Sequence, residues 1–183
     1  MTMSSDNKTA LRIALVAVLT AVVVVFTSIV RVPTPVVKGY ISLCDVVICF
    51  SAYLFGPWAA AISGGLGTAF ADLLGGYAVW APFSLVIHGL QGLLMGLIAY
   101  PRKKIKTEVL SEASLMRMLI AGLAGIVVMV GGYYLVGGVF YGFEPALVEI
   151  PLNLIQSSVG VILGIVVSKT VSKAYPPVRS LMW

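Results

Sequence analysis

Residues 9–30 read TALRIALVAVLTAVVVVFTSIV. Apart from Arg12 the stretch carries no charge, and it is long enough to cross the roughly 30 Å hydrocarbon core of a bilayer as a helix. Its apolar part, Ile13 to Val30, exceeds the length of a signal-peptide core and is not followed by a small-residue cleavage site. It therefore reads as a retained first span. The rest of the chain fits that reading: of 183 residues 60% are hydrophobic and only 10% charged, far below the quarter usual in soluble domains. Too few polar side chains are available to cover a water-facing surface, so lipid is the natural solvent and a soluble enzyme is excluded.

Five more apolar segments follow, about Ser42–Phe55, Trp58–Leu74, Pro82–Tyr100, Leu115–Val136 and Ala146–Val171. The second is the shortest, and Gly56-Pro57 separates it from the third because proline cannot continue the helix before it. The expectation is an all-α integral membrane protein of six transmembrane helices. No heptad, repeat or linker divides it, so residues 1–183 are expected to act as one domain. With the N-terminus cytoplasmic, six spans place Lys8, Arg12, Arg102, Lys103, Lys104, Lys106, Arg117, Lys169, Lys173 and Arg179 inside. Only Arg31 and Lys38, of the twelve Lys and Arg residues, fall outside. This agrees with the positive-inside rule and puts both termini in the cytoplasm. It also explains the net charge of +5 without nucleic acid, since the basic residues mark loops and do not form a binding face.

In that orientation the intramembrane polar residues gather in one leaflet. Asp45 and Asp72 lie near the outer ends of the second and third spans, and Tyr133 and Tyr134 near that of the fifth. Ser84, His88 and Gln91 share a face of the fourth at i, i+4, i+7 spacing, as do Glu149, Asn153 and Gln156 on the sixth. An ionisable group within a span costs about 2.5–3.5 kcal/mol on insertion scales. Repetition at one depth points to a polar pocket open to the outside, while interhelical hydrogen bonding is the plainer alternative. Carriers need a polar path through both leaflets; this chain has one in the outer leaflet only, as a solute receptor would. Tyr40, Tyr77, Trp80 and Phe83 suit either an interfacial belt or stacking against a ligand ring.

Other chemistries lack their residues. There is no GxxxxGK[ST] for nucleotide hydrolysis, no HExxH, and no nucleophile triad; Asp45 with His88 is the single pairing an embedded enzyme would have. One histidine leaves too few nitrogen ligands for nickel or cobalt, and Cys44 and Cys49 lack zinc-site spacing. Neither a catalytic group, a metal nor a cofactor is expected. The first span also carries Ala10, Ala14, Ala17 and Ala21, a smooth stripe against which another helix can pack closely.

Length, six spans, this Ala-x-x-x-Ala helix, the Gly56-Pro57 turn and the segment Glu149-Ile150-Pro151-Leu152-Asn153-Leu154-Ile155-Gln156 together resemble the substrate-binding S components of energy-coupling factor (ECF) vitamin transporters. The likeness covers essentially the whole chain and is nearest to the branch serving riboflavin, hydroxymethylpyrimidine and pyridoxine. It implies a multi-pass protein of a prokaryotic cell membrane that captures a small water-soluble vitamin from outside. It further implies a transmembrane coupling subunit and two ATPases as partners. Carried over by position, Ala10, Ala14, Ala17 and Ala21 become the docking face. Asn153, Gln156, His88 and Gln91 become ligand contacts, and Lys38 part of the first loop that caps the pocket. Glu149, Tyr133, Trp80, Ser84 and Asp72 complete the expected binding set from their depth. Carboxylates among these favour an amine-bearing ring over a phosphorylated ligand. A pyrimidine or pyridine vitamer is expected first and riboflavin next. A structural subunit and an embedded enzyme stand as the alternatives.

Overall fold

The computed structural model describes residues 5–34, 37–100 and 113–182. The loop basic residues Arg102, Lys103, Lys104 and Lys106, and Pro35 of the first loop, lie outside the described residues. Six α-helices lie among the described residues: α1 (Ser5–Ile29), α2 (Cys44–Phe55), α3 (Pro57–Gly75), α4 (Ala81–Ala99), α5 (Leu115–Tyr141) and α6 (Phe143–Ala174). A two-stranded hairpin, β1 (Val32–Pro33) and β2 (Tyr40–Ile41), joins α1 to α2, and a short 3-10 helix, Pro176–Leu181, ends the described chain.

Four helices, α1, α4, α5 and α6, are long and apolar enough to cross a bilayer unaided. The expected second and third spans differ, each for a physical reason. With 12 residues α2 is only about 18 Å long. Eleven of its residues are buried, so protein rather than lipid surrounds it and it need not match the bilayer. The apolar character of α3 is diluted by Ser63, four glycines, Thr68 and Asp72, nearly all buried against its neighbours. Outward faces elsewhere carry large apolar side chains such as Ile13, Val18, Leu123, Val127, Val139 and Ile162, as lipid-facing surfaces do.

Missing side chains let the helices meet. A Cβ on Gly96 would lie 2.4 Å from Cα of Pro57, so α3 and α4 approach backbone to backbone just beyond the Gly56 turn, where φ is +93°. A Cβ on Gly160 would lie 2.3 Å from Cβ of Asp45, and one on Gly164 2.5 Å from Cβ of Cys49. Both pairs are spaced i, i+4, so one ridge of α2 seats along a glycine groove of α6.

This packing closes one half of the bundle. Cys49, Tyr53, Ala60, Met95, Met118, Ala121 and Val161 form an apolar core there, and the Tyr53 hydroxyl donates to the Met118 carbonyl at 2.8 Å. Val178 of the 3-10 helix packs with Leu19, Leu54, Phe55 and Ala59 at the same end. At the opposite end the helices part around a polar cavity, and the hairpin lies across it. Its strands pair Val32 with Ile41 and Pro33 with Tyr40, and Lys38 takes the left-handed φ of +48° that turns the chain back.

Candidate substrate-binding site

The cavity is lined by α1 (Thr27), the hairpin (Val37, Gly39, Tyr40, Ser42) and α2 (Cys44). It is completed by α3 (Thr68, Asp72), α4 with its preceding turn (Trp80, Ser84, His88), α5 (Met129, Tyr133) and α6 (Ala146, Glu149, Asn153, Gln156). About 580 Å³ of space, part of it open to solvent, lies among these side chains. Of the ten residues expected to bind substrate, eight line it: Asn153, Gln156, His88, Glu149, Tyr133, Trp80, Ser84 and Asp72. Gln91 sits beneath His88 instead and bonds its ring. Lys38 is exposed at the hairpin turn, although its neighbours Val37 and Gly39 both line the cavity.

The floor is a hydrogen-bonded network centred on Asp45, which is fully buried. Its oxygens accept from the side-chain amide of Gln91, from that of Gln156 at 2.6 Å and from the Ser157 hydroxyl at 3.2 Å. The carbonyl ends of the two glutamines then face outward. Gln91 Oε1 lies 2.7 Å from His88 Nδ1, and Gln156 Oε1 accepts from the Ser42 backbone N–H at 2.7 Å. Cys44 Sγ lies 3.7 Å from Asp45 Oδ2 and 3.8 Å from His88 Nε2. These three residues bring sulfur, oxygen and nitrogen within 4.8 Å of one another, a spacing that would suit a metal ion. Both Asp45 oxygens are already committed to N–H and O–H donors, so the trio reads as a bonded network, with Asp45 and His88 linked through Gln91.

Around the rim, the Tyr40 hydroxyl donates to Asp72 Oδ1. Burial, reinforced by that carboxylate, pushes the Tyr40 pKa up, so the hydroxyl stays a donor. Arg31 holds this corner from outside. Its guanidinium lies 4.7 Å above the Tyr40 ring and 5.6 Å from that of Tyr77, and it donates to the Ala71 carbonyl at 3.0 Å. On the other wall Ser84 Oγ and the Tyr133 hydroxyl are 2.7 Å apart, and Trp80 stacks on Tyr141 and leans on Tyr133.

Two groups are left over. Asp72 Oδ2 and Glu149 Oε1 are buried without a hydrogen-bond partner among the described residues, their side chains only 2% and 5% exposed. Among the described residues no Lys or Arg lines the cavity with them. Burying unpaired carboxylate oxygens is costly, which marks this as a place built for a partner.

Sequence reasoning does not single out Thr27, Ser42, Cys44, Thr68 and Met129 as lining residues, and leaves Tyr40 between an interfacial belt and a ligand-stacking role. Thr27 and Thr68 bond the carbonyls of Val23 and Gly64 on their own helices, an ordinary use of helical threonine that carries no signal. Tyr40 was legible only as one aromatic among several near a helix end.

Comparison with known proteins decides the class. The family model described as "ECF-type riboflavin transporter, S component" matches residues 7–173. This chain is a member of that S-component family. Among curated proteins, it is 35% identical over 169 residues, 92% of each chain, to a thiamine precursor transporter, HmpT, of Lactococcus lactis subsp. cremoris. It is also 35% identical to an uncharacterized protein of Pyrococcus woesei, across 73% of this chain and 82% of that one. A solved S component of a bacterial ECF transporter shares the fold with a TM-score of 0.61 at 22% identity, covering 89% of this chain and 96% of the other. S components are the substrate-capture subunits of ECF importers, so the chain is a multi-pass transport protein rather than an enzyme or a structural subunit.

The stripe expected to dock a coupling subunit is also placed. Ala10, Ala14, Ala17 and Ala21 are all exposed on α1. Beside them α1 and α3 form an apolar groove lined by Ile13, Val16, Ala17, Ile62, Leu66 and Phe70.

Proposed function

We propose that this S component captures a small heterocycle bearing amine or hydroxyl donors, a hydroxymethylpyrimidine-like thiamine precursor first and a pyridoxine-like vitamer next. The observation that carries the reading is the pair of unpartnered buried oxygens, Asp72 Oδ2 and Glu149 Oε1, in a cavity that no Lys or Arg lines among the described residues. Such a site rewards N–H and O–H donors and disfavours phosphate. A three-ring flavin is the second reading and takes its support from the family description. The named activity of the Lactococcus relative supports the pyrimidine. Asn153, Gln156, His88, Tyr133, Trp80 and Ser84 supply the remaining contacts, and the hairpin caps the site.

The whole chain acts as one unit in a prokaryotic cell membrane, with both termini cytoplasmic and the cavity facing out. Delivery follows docking of the α1 stripe on a transmembrane coupling subunit served by two ATPases.

Mass spectrometry of small molecules released from detergent-purified protein tests the reading, followed by titration with hydroxymethylpyrimidine, pyridoxine and riboflavin. Near-stoichiometric recovery and tight rebinding of an amine-bearing pyrimidine or a pyridoxine-like vitamer support it. Tight binding of riboflavin with none of the smaller rings would replace it.

A further inference from the structure

His88 can serve a ligand in two opposite ways, because a neutral imidazole carries its proton on one nitrogen and a lone pair on the other. The network beneath it decides which. A carboxylate is acceptor-only, so Asp45 obliges Gln91 to present its NH₂ end. The other end of that amide, Oε1, is likewise acceptor-only, and it lies 2.7 Å from His88 Nδ1. Nδ1 must therefore carry the proton. In the neutral ring Nε2, which faces Cys44 Sγ at 3.8 Å, then carries the lone pair.

Gln156 repeats the logic toward the hairpin. Its NH₂ is held by Asp45 and its carbonyl by the Ser42 N–H, so one carboxylate sets the polarity of two amides at once.

We propose that Asp45 is a positioning residue for specificity: acting through Gln91, it locks the proton of His88 on Nδ1, so the floor offers the ligand an acceptor at Nε2. With Asp72 and Glu149 on the walls, the cavity then presents acceptors on three sides and selects the donor-bearing edge of a heterocycle, an exocyclic amine or a ring N–H. The selectivity half rests on the capture reading above. The tautomer half does not, and it can be measured without any ligand.

His88 is the sole histidine in the sequence. Protein labelled with ring-¹⁵N histidine, purified through a tag without histidine, gives signals from this one imidazole. Long-range proton–nitrogen correlation spectra then identify the protonated nitrogen. The expected result for the wild type is a neutral ring with the proton on Nδ1. Gln91→Leu removes the acceptor from Nδ1, and the proton is expected to populate Nε2. Wild-type protein with its proton on Nε2, or on both nitrogens, overturns the proposal, and that measurement needs no variant to fold. Retention of the Nδ1 proton in folded Gln91→Leu overturns it as well.

The ligand arm is separate. In Asp45→Asn the side chain can donate as well as accept, Gln91 is free to turn over, and His88 can meet the ligand with N–H. Preference for an aminopyrimidine over its analogue lacking the amine is expected to fall about ten- to a hundredfold. An Nδ1 tautomer in a protein that binds no heterocycle would leave the relay standing and remove the capture reading.

Discussion

Replacing Gly160 with alanine tests how the glycine groove of α6 supports the cavity floor. The new Cβ would lie 2.3 Å from Asp45 Cβ, 3.0 Å from its carbonyl carbon and 3.2 Å from its Cα. Carbon atoms in contact sit about 3.5–4.0 Å apart, so α2 must retreat by more than 1 Å. No flexible side-chain tip is available to yield, because the atoms met are backbone and the first side-chain carbon. Overpacking of this kind typically costs about 1–3 kcal/mol. The retreat also draws Asp45 away from Gln156 and Ser157, now 2.6 and 3.2 Å distant, and each lost hydrogen bond costs roughly 1 kcal/mol more. Because the floor is what shifts, ligand affinity is expected to fall about tenfold or more, the equivalent of about 1.4 kcal/mol. The control is Gly131→Ala on α5, where a Cβ meets nothing within 4 Å and stability should hold or rise slightly. Thermal unfolding in detergent reads the first effect. Tryptophan fluorescence, with Trp80 in the cavity wall, reads ligand titration. A Gly160→Ala protein as stable and as tightly binding as Gly131→Ala would show that α2 and α6 are not in this contact, and the reasoning would fail.

Other substitutions separate the remaining roles. Glu149→Gln and Asp72→Asn should each weaken an amine-bearing ligand about tenfold or more while the empty protein unfolds at about the same temperature, since each carboxyl keeps one buried oxygen without a partner; a large loss of stability would mean these carboxylates are structural. Lys38→Ala should change ligand affinity by no more than about twofold, the usual range for an exposed position, and a larger loss in the same titration would place its ammonium over the ligand. Gly75→Val drives a side chain into Arg31, whose guanidinium lies 2.1 Å from a Cβ built there. Loss of its stacking on Tyr40 and Tyr77, worth about 0.5–1 kcal/mol, should speed ligand release about two- to fivefold in stopped-flow fluorescence; an unchanged rate would detach this corner from gating. Ala14→Leu and Ala17→Leu should abolish vitamin uptake by cells expressing the full transporter yet leave binding in detergent intact; normal uptake would move docking elsewhere.

Much of this protein is written in one dimension. Lipid and water sort residues by polarity alone, so composition and apolar runs were enough to identify a helical membrane protein. Helical spacing then placed Glu149, Asn153 and Gln156, and likewise Ser84 and His88, on shared faces. Depth worked for the same reason: charge inside a span is costly wherever the span ends up. Spacing could not tell what each face meets. Gln91 continues the stripe of Ser84 and His88, yet it is spent on Asp45 and on orienting the imidazole, because α2 lies beneath α4 there. Lys38 sits between two lining residues but is exposed at the hairpin turn, where its own φ is left-handed. The length of α2 misleads when read against a bilayer, since its neighbours, and not lipid, form its surroundings. The tertiary structure alone decided which carboxylate oxygens are satisfied and which are left over. Asp45, Asp72 and Glu149 look alike in sequence. Only the seating of α2 against α4 and the Gly160 groove of α6 gives the first its three donors, and one oxygen of each of the others, both on cavity-lining residues, is left without a partner among the described residues.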